Sequence, residues 1–159
     1  MNDNYAHRFN IFPTLVYYVN CSDLIDPVKE ILKSVKWNDD WTGQSQDLYV
    51  LKSNPEIAKV FEDRVNSALS EIQYCLPFKL TTSWITKTKP YGSITRHNHT
   101  NSFWSAVYYF HDNCGNLSFT KDVPAINVDF KSKEHTTQMY GETMFPAKKG
   151  HILLFPSTL

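Results

Sequence analysis

The feature that most constrains this chain is a change of hydrophobic period at Pro77. Before it, apolar residues recur at helical spacing: Val28, Ile31, Leu32 and Val35, then Ile57, Val60, Phe61, Val65, Ala68, Leu69 and Ile72. After it, short aromatic and β-branched runs occupy 80–89, 103–110, 116–120, 126–130, 136–144 and 151–155. Turn-forming residues separate them, as in Pro90-Tyr91-Gly92, Asn113-Cys114-Gly115, Val123-Pro124, Tyr140-Gly141 and Lys148-Lys149-Gly150. A period of 3.6 lines one face of a helix and a period of 2 one face of a strand, so the two halves build different elements. Two helices followed by many short strands predict a mainly β fold, a jelly roll with the helices packed on one outer face.

Local signals refine this reading. Asp26 is placed to cap a first helix that Pro27 opens, and Asn54 to cap a second that Pro55 opens. The second helix, over 54–75, is predicted to pack through Ile57, Phe61, Val65 and Ile72. The stretch 11–19 reads as a strand that Pro13 confines to an edge, and 47–52 as a short strand. Ten Phe, nine Tyr and four Trp against only five Gly favour a β-rich core. A length of 159 residues suits one domain over 1–159, with a helical part at about 20–77 and a jelly-roll core at about 78–159. Each part alone is too small for a stable core.

Composition excludes several function classes. The longest apolar run, 15–19, is too short for a membrane span, and the polar Met1-Asn2-Asp3-Asn4 start lacks a signal-peptide core. Sixteen Lys+Arg balance sixteen Asp+Glu, so no basic field invites nucleic acid. Cys21, Cys75 and Cys114 form no C-x-x-C pair, which excludes a zinc ribbon or a thioredoxin motif. They are expected to be free, buried thiols of a cytoplasmic protein. Oligomeric state is left open.

Chemistry concentrates in Arg96-His97-Asn98-His99, ahead of Ser105-Ala106-Val107-Tyr108-Tyr109-Phe110. On an extended segment His97 and His99 point to the same side and could present two imidazoles to one metal ion. Two polar histidines on a strand rim are the alternative. Lys87, Lys89 and Arg96 bias the neighbourhood positive, either to attract an anion or as solvated edge charges. Trp84, Phe103 and Trp104 read as core, and Trp37 and Trp41 as loop residues. Asp112 and Glu142 have no spacing that assigns them, and His7, His111, His135 and His151 read as surface residues.

Further matches run in order along the chain: Phe12-Pro13-Thr14-Leu15-Val16, Ser83-Trp84-Ile85, the His97-Asn98-His99 segment, the strand from Ser105 to Phe110, Gly115-Asn116-Leu117-Ser118-Phe119, and Gly150-His151-Ile152-Leu153-Leu154-Phe155-Pro156-Ser157. Over about residues 11–159 the chain thereby resembles the bacterial and phage family of iron(II)/2-oxoglutarate-dependent oxygenases. Ala106 replaces a usual Gly, and Thr120-Lys121-Asp122-Val123-Pro124 lacks the family's Asp-Pro-Arg.

The resemblance implies a double-stranded β-helix that binds iron(II) and, as co-substrate, 2-oxoglutarate, and hydroxylates a substrate C–H bond. Ascorbate is compatible as an accessory reductant. His97 and His99 would be metal ligands, and Tyr109, which shares their parity on a continuous strand, would bind the co-substrate. The family places a further histidine ligand and a 2-oxoglutarate-binding arginine after its F-P-S-x-L, so both are expected beyond Leu159. As written, the chain is expected to bind iron weakly and not to turn over 2-oxoglutarate. A non-catalytic jelly-roll binding module, and a cupin-like metal enzyme without 2-oxoglutarate, are the competing readings.

Overall fold

The computed structural model describes residues 14–38, 43–72, 77–120 and 141–159. In chain order the elements are β1 (Tyr17–Asn20), α1 (Ile25–Leu32), β2 (Gly43–Gln44), α2 (Pro55–Leu69), β3 (Thr86–Lys87), β4 (Trp104–Tyr109), β5 (Asn116–Thr120), β6 (Glu142–Pro146) and β7 (His151–Pro156). They form three antiparallel sheets, ordered β1-β7-β4, β2-β3 and β5-β6.

The central strand β7 organises the packing. Ile152 and Leu154 project to one side, into a core with Leu24, Val28, Ile31, Ile57, Phe61 and Leu69 from the helical half. Leu153 and Phe155, at the alternate positions, point the other way. There Phe155 meets Phe119 of β5 at 4.8 Å between ring centroids. Burial on both faces explains why β7 is continuously apolar where an edge strand would alternate. From β4, Tyr108 follows Ile152 toward the helices, where its ring sits edge-on to Phe61 at 5.1 Å. The second helix thus packs as its periodicity predicts, with Ile57, Phe61 and Leu69 buried and Val65 and Ile72 partly buried beside them.

Turn geometry places the strand ends. Gly150 has φ +74, and a Cβ there would stand 2.9 Å from the Ser22 Cα. Its N–H donates to the Tyr109 carbonyl, and its carbonyl accepts from the Cys21 N–H, both at 2.7 Å. Asn113 and Gly115 also adopt positive φ, as the turn chemistry of that segment requires.

Several expected elements differ. The run 80–89 yields only Thr86–Lys87 as strand. Its backbone donors go to scattered partners in place of a ladder: Leu80 N–H to Glu62 Oε1 at 2.8 Å, Ser83 N–H to the Leu48 carbonyl at 2.9 Å and Ile85 N–H to Ser45 Oγ at 3.0 Å. The stretch 47–52 forms a 3-10 turn at Val50–Ser53, because Asp47 accepts the Tyr49 N–H and the Asn54 amide donates to the Val50 carbonyl. Asn54 therefore precedes Pro55 as expected without capping α2 through its side chain. In α1, Leu24 stands at the cap and Asp26 lies within the first turn.

The described strands establish a β-rich fold with two helices, and do not by themselves amount to a jelly roll of about eight strands. The runs 126–130 and 136–140, expected to supply strands, lie outside the described residues, as do Cys75 and positions 11–13. Cys21 is buried as expected, whereas Cys114 is exposed. No helix among the described residues is long and apolar enough to cross a membrane.

Candidate metal-binding site

The segment between β3 and β4 carries the two histidines. It turns at Tyr91, with φ 64, then runs irregularly to a second turn at Asn101, with φ 60, before β4 begins. The parity of His97 and His99 is retained across this stretch. Their imidazoles stack with centroids 5.0 Å apart and planes inclined by 10°, so both rings lie on one side of the backbone.

The two histidines are held differently. His97 is exposed, and its Nδ1 lies 2.8 Å from the Thr95 carbonyl. A carbonyl only accepts, so Nδ1 is the donor in this bond, as it is in metal-ligating histidines that turn Nε2 to the metal. His99 is half-buried, its ring 5.8 Å from Trp84 and edge-on to Phe155 at 6.3 Å. Burial, and secondarily the charge of His97, pull its pKa below the ordinary histidine value. Burial thus favours the neutral imidazole, the form that ligates a metal.

The surroundings form an anchored aromatic frame. The His99 N–H donates to the Ser157 carbonyl at 3.3 Å, which ties the histidine segment to the end of β7. Phe119 bridges Phe155 at 4.8 Å and Phe145 at 5.6 Å, walling the same side of the sheet with rings. Arg96 donates to the Thr120 carbonyl at 3.1 Å, which joins the segment to the end of β5.

Other candidates lie elsewhere. Tyr109 is at the opposite end of β4, across from His151, whereas His99 is beside Ser157 at the start of that strand. The six residues of β4 span about 17 Å, so the structure does not bring Tyr109 and the histidines together. Burial raises the Tyr109 pKa to about 12. The turn at Asn101 breaks the continuous strand on which shared parity depended. Lys87 places its ammonium 4.2 Å from the Trp37 ring, so it is a packing cation. Asp112 pairs with Lys149 at 2.6 Å, and Glu142 stands across from Thr120 on β6. Trp84 and Phe103, read as core, are 40% and 82% exposed beside the histidine segment. A cleft of about 280 Å³ lined by Ile31, Val35, Ser45, Asp47 and Val50 draws no residue from the histidine segment.

Sequence reasoning missed two residues of this site. Ser105 and Ser157 are buried, with hydroxyl oxygens 2.8 Å apart, directly behind the Ser157 carbonyl that holds His99. Their signal was present: each is polar at a position that shares inward parity with Phe155.

Among the described residues no group of three or more His, Cys, Asp or Glu is gathered to hold a metal ion. The pair offers nitrogen donors of the kind that iron(II) takes. A family model described as "Putative 2OG-Fe(II) oxygenase" matches residues 82–159, the stretch that holds His97, His99 and the strands β3 to β7. No curated protein and no solved structure matches the chain.

Proposed function

We propose that this chain is the core of an iron(II)- and 2-oxoglutarate-dependent oxygenase that hydroxylates a C–H bond. The observation that carries the reading is the parallel pair His97 and His99, inside the stretch 82–159 that is similar to that family. Iron bound there would supply O₂ activation coupled to decarboxylation of 2-oxoglutarate. The protein supplies two imidazole nitrogen donors, one oriented by the Thr95 carbonyl and one by its packing between Trp84 and Phe155. Phe119, Phe145 and Phe155 exclude water from the side on which His99 is buried.

Among the described residues no third His, Cys, Asp or Glu joins the pair. The Ser157 carbonyl contact brings the end of β7 to His99. We further propose that the chain acts as one cytoplasmic domain with a small-molecule co-substrate.

Anaerobic iron(II) titration, with and without 2-oxoglutarate, tests the assignment. Binding should be strengthened by 2-oxoglutarate and lost in H97A/H99A, while the far-UV circular dichroism of the variant stays that of the wild type. Unchanged iron affinity in the double variant would refute the ligand assignment. Iron binding without any succinate formation would favour a binding module over an oxygenase.

A further inference from the structure

We propose that Ser105 and Ser157 form a buried hydroxyl latch that positions His99 for metal binding, an inference that rests on the reading above. Ser157 makes bonds through three groups. Its N–H donates to the Phe103 carbonyl at 3.0 Å, its carbonyl accepts from the His99 N–H at 3.3 Å, and its Oγ lies 2.8 Å from the Ser105 Oγ. The first two bonds clasp the chain on either side of the turn at Asn101. The third ties that clasp to β4.

The latch acts where the sheet stops. The β4–β7 ladder ends with Trp104 across from Pro156, which has no N–H to contribute, so Ser157 lies one residue past the last rung. Its backbone, whose carbonyl is the acceptor for His99, is otherwise held to β4's end of the chain by the single bond to the Phe103 carbonyl. The hydroxyl pair adds a second tie. Ser105 is 6% exposed and Ser157 1%, so water does not compete for the bond. Both share inward parity with Phe155, whose ring touches the His99 ring. A displacement of Ser157 therefore shifts the backbone of His99 and one wall of its ring together. These serines are positioning residues, since neither is itself a ligand in this arrangement.

The test compares four proteins by two measurements: cobalt(II) affinity, as an air-stable probe for the iron site, and amide hydrogen exchange at His99. The proteins are the wild type, S105A, S105A/S157A and V28A. Val28 is a buried core residue of α1, so V28A reports what global destabilisation alone does. S105A should accelerate exchange of the His99 amide and weaken cobalt(II) binding by about tenfold, the usual scale for losing a group that orients a ligand. V28A should lower the melting temperature without either change. S105A/S157A removes both hydroxyls and leaves neither unpaired, so its stability should return toward wild type while its cobalt(II) affinity stays low. Affinity that recovers together with stability in the double variant, or His99 exchange unchanged in S105A, overturns the latch. A wild type that takes up no cobalt(II) overturns the oxygenase reading instead, and the exchange measurement then decides the latch by itself.

Discussion

At the scale of single residues, the strongest charge contact joins the two helices' neighbourhoods. Arg64 of α2 grips Asp23 through both guanidinium nitrogens, at 2.5 and 2.6 Å, and also donates to the Asn20 carbonyl at 3.1 Å. The fork holds the Asp23 carboxyl below its ordinary pKa and pushes Arg64 further up. Glu62 is likewise lowered, first by the Leu80 N–H and then by Lys79. A carboxyl with a depressed folded pKa adds stability in full above its unfolded value, and loses it as pH falls through the folded one. The gap in melting temperature between wild type and D23N should therefore be widest near neutrality and close as pH falls through and below the ordinary aspartate range. A gap that ignores pH would remove the fork from this account. A neutral bond gives a second expectation. Tyr108, its pKa raised to about 12 chiefly by burial, donates to the Cys21 carbonyl at 2.9 Å. Y108F keeps the ring against Phe61 and should cost about 1 kcal/mol in urea unfolding.

At the scale of elements, β7 is the central strand, paired with β1 on one side and β4 on the other. Leu154 faces the helices and Leu153 the opposite side, and both are at most 1% exposed. Truncation at either position opens a cavity, so L153A and L154A should each destabilise by about 2–5 kcal/mol. A loss under about 1 kcal/mol at Leu153 would mean that this face of β7 is not packed as described. The turn before β7 carries a different constraint. Gly150 combines φ +74 with a close approach to Ser22, so G150A meets backbone strain and a clash at once. It should cost more than about 1 kcal/mol, read as a lower urea midpoint with unchanged slope.

At the scale of the whole molecule, the two periodic halves share one core. Leu24, Val28, Ile57 and Phe61 from before Pro77 pack on Ile152 and Leu154 from after it. The Asn66 side chain adds a clamp, accepting the Phe78 N–H and donating to the Phe78 carbonyl at 2.9 Å. Neither half can then keep its apolar face buried alone, so unfolding should be a single cooperative transition, coincident by circular dichroism and tryptophan fluorescence. Two separated transitions would argue for two domains.

The sequence by itself determined what depends on local chemistry and period. The apolar stripe of α2, the alternation along β5, the continuous burial of β7 and the positive-φ turn at Asn113 and Gly115 follow from residue type and spacing. So does the shared side of His97 and His99, because two residues apart in extended chain is a short-range relation. Tertiary structure decided whatever relies on partners distant in the chain. Glu62, Leu48 and Ser45 take the N–H groups of Leu80, Ser83 and Ile85, and the expected strand 80–89 keeps only two residues. The turn at Asn101 and the antiparallel register of β4 on β7 carry Tyr109 away from the histidines. That same register brings Ser105 to Ser157, 52 residues apart, behind the backbone of His99. Periodicity specifies which face a side chain occupies, but not which strand lies opposite or in what register. That choice is made by the core as it closes, where the burial of β7 on both faces outweighs the preference of any single segment.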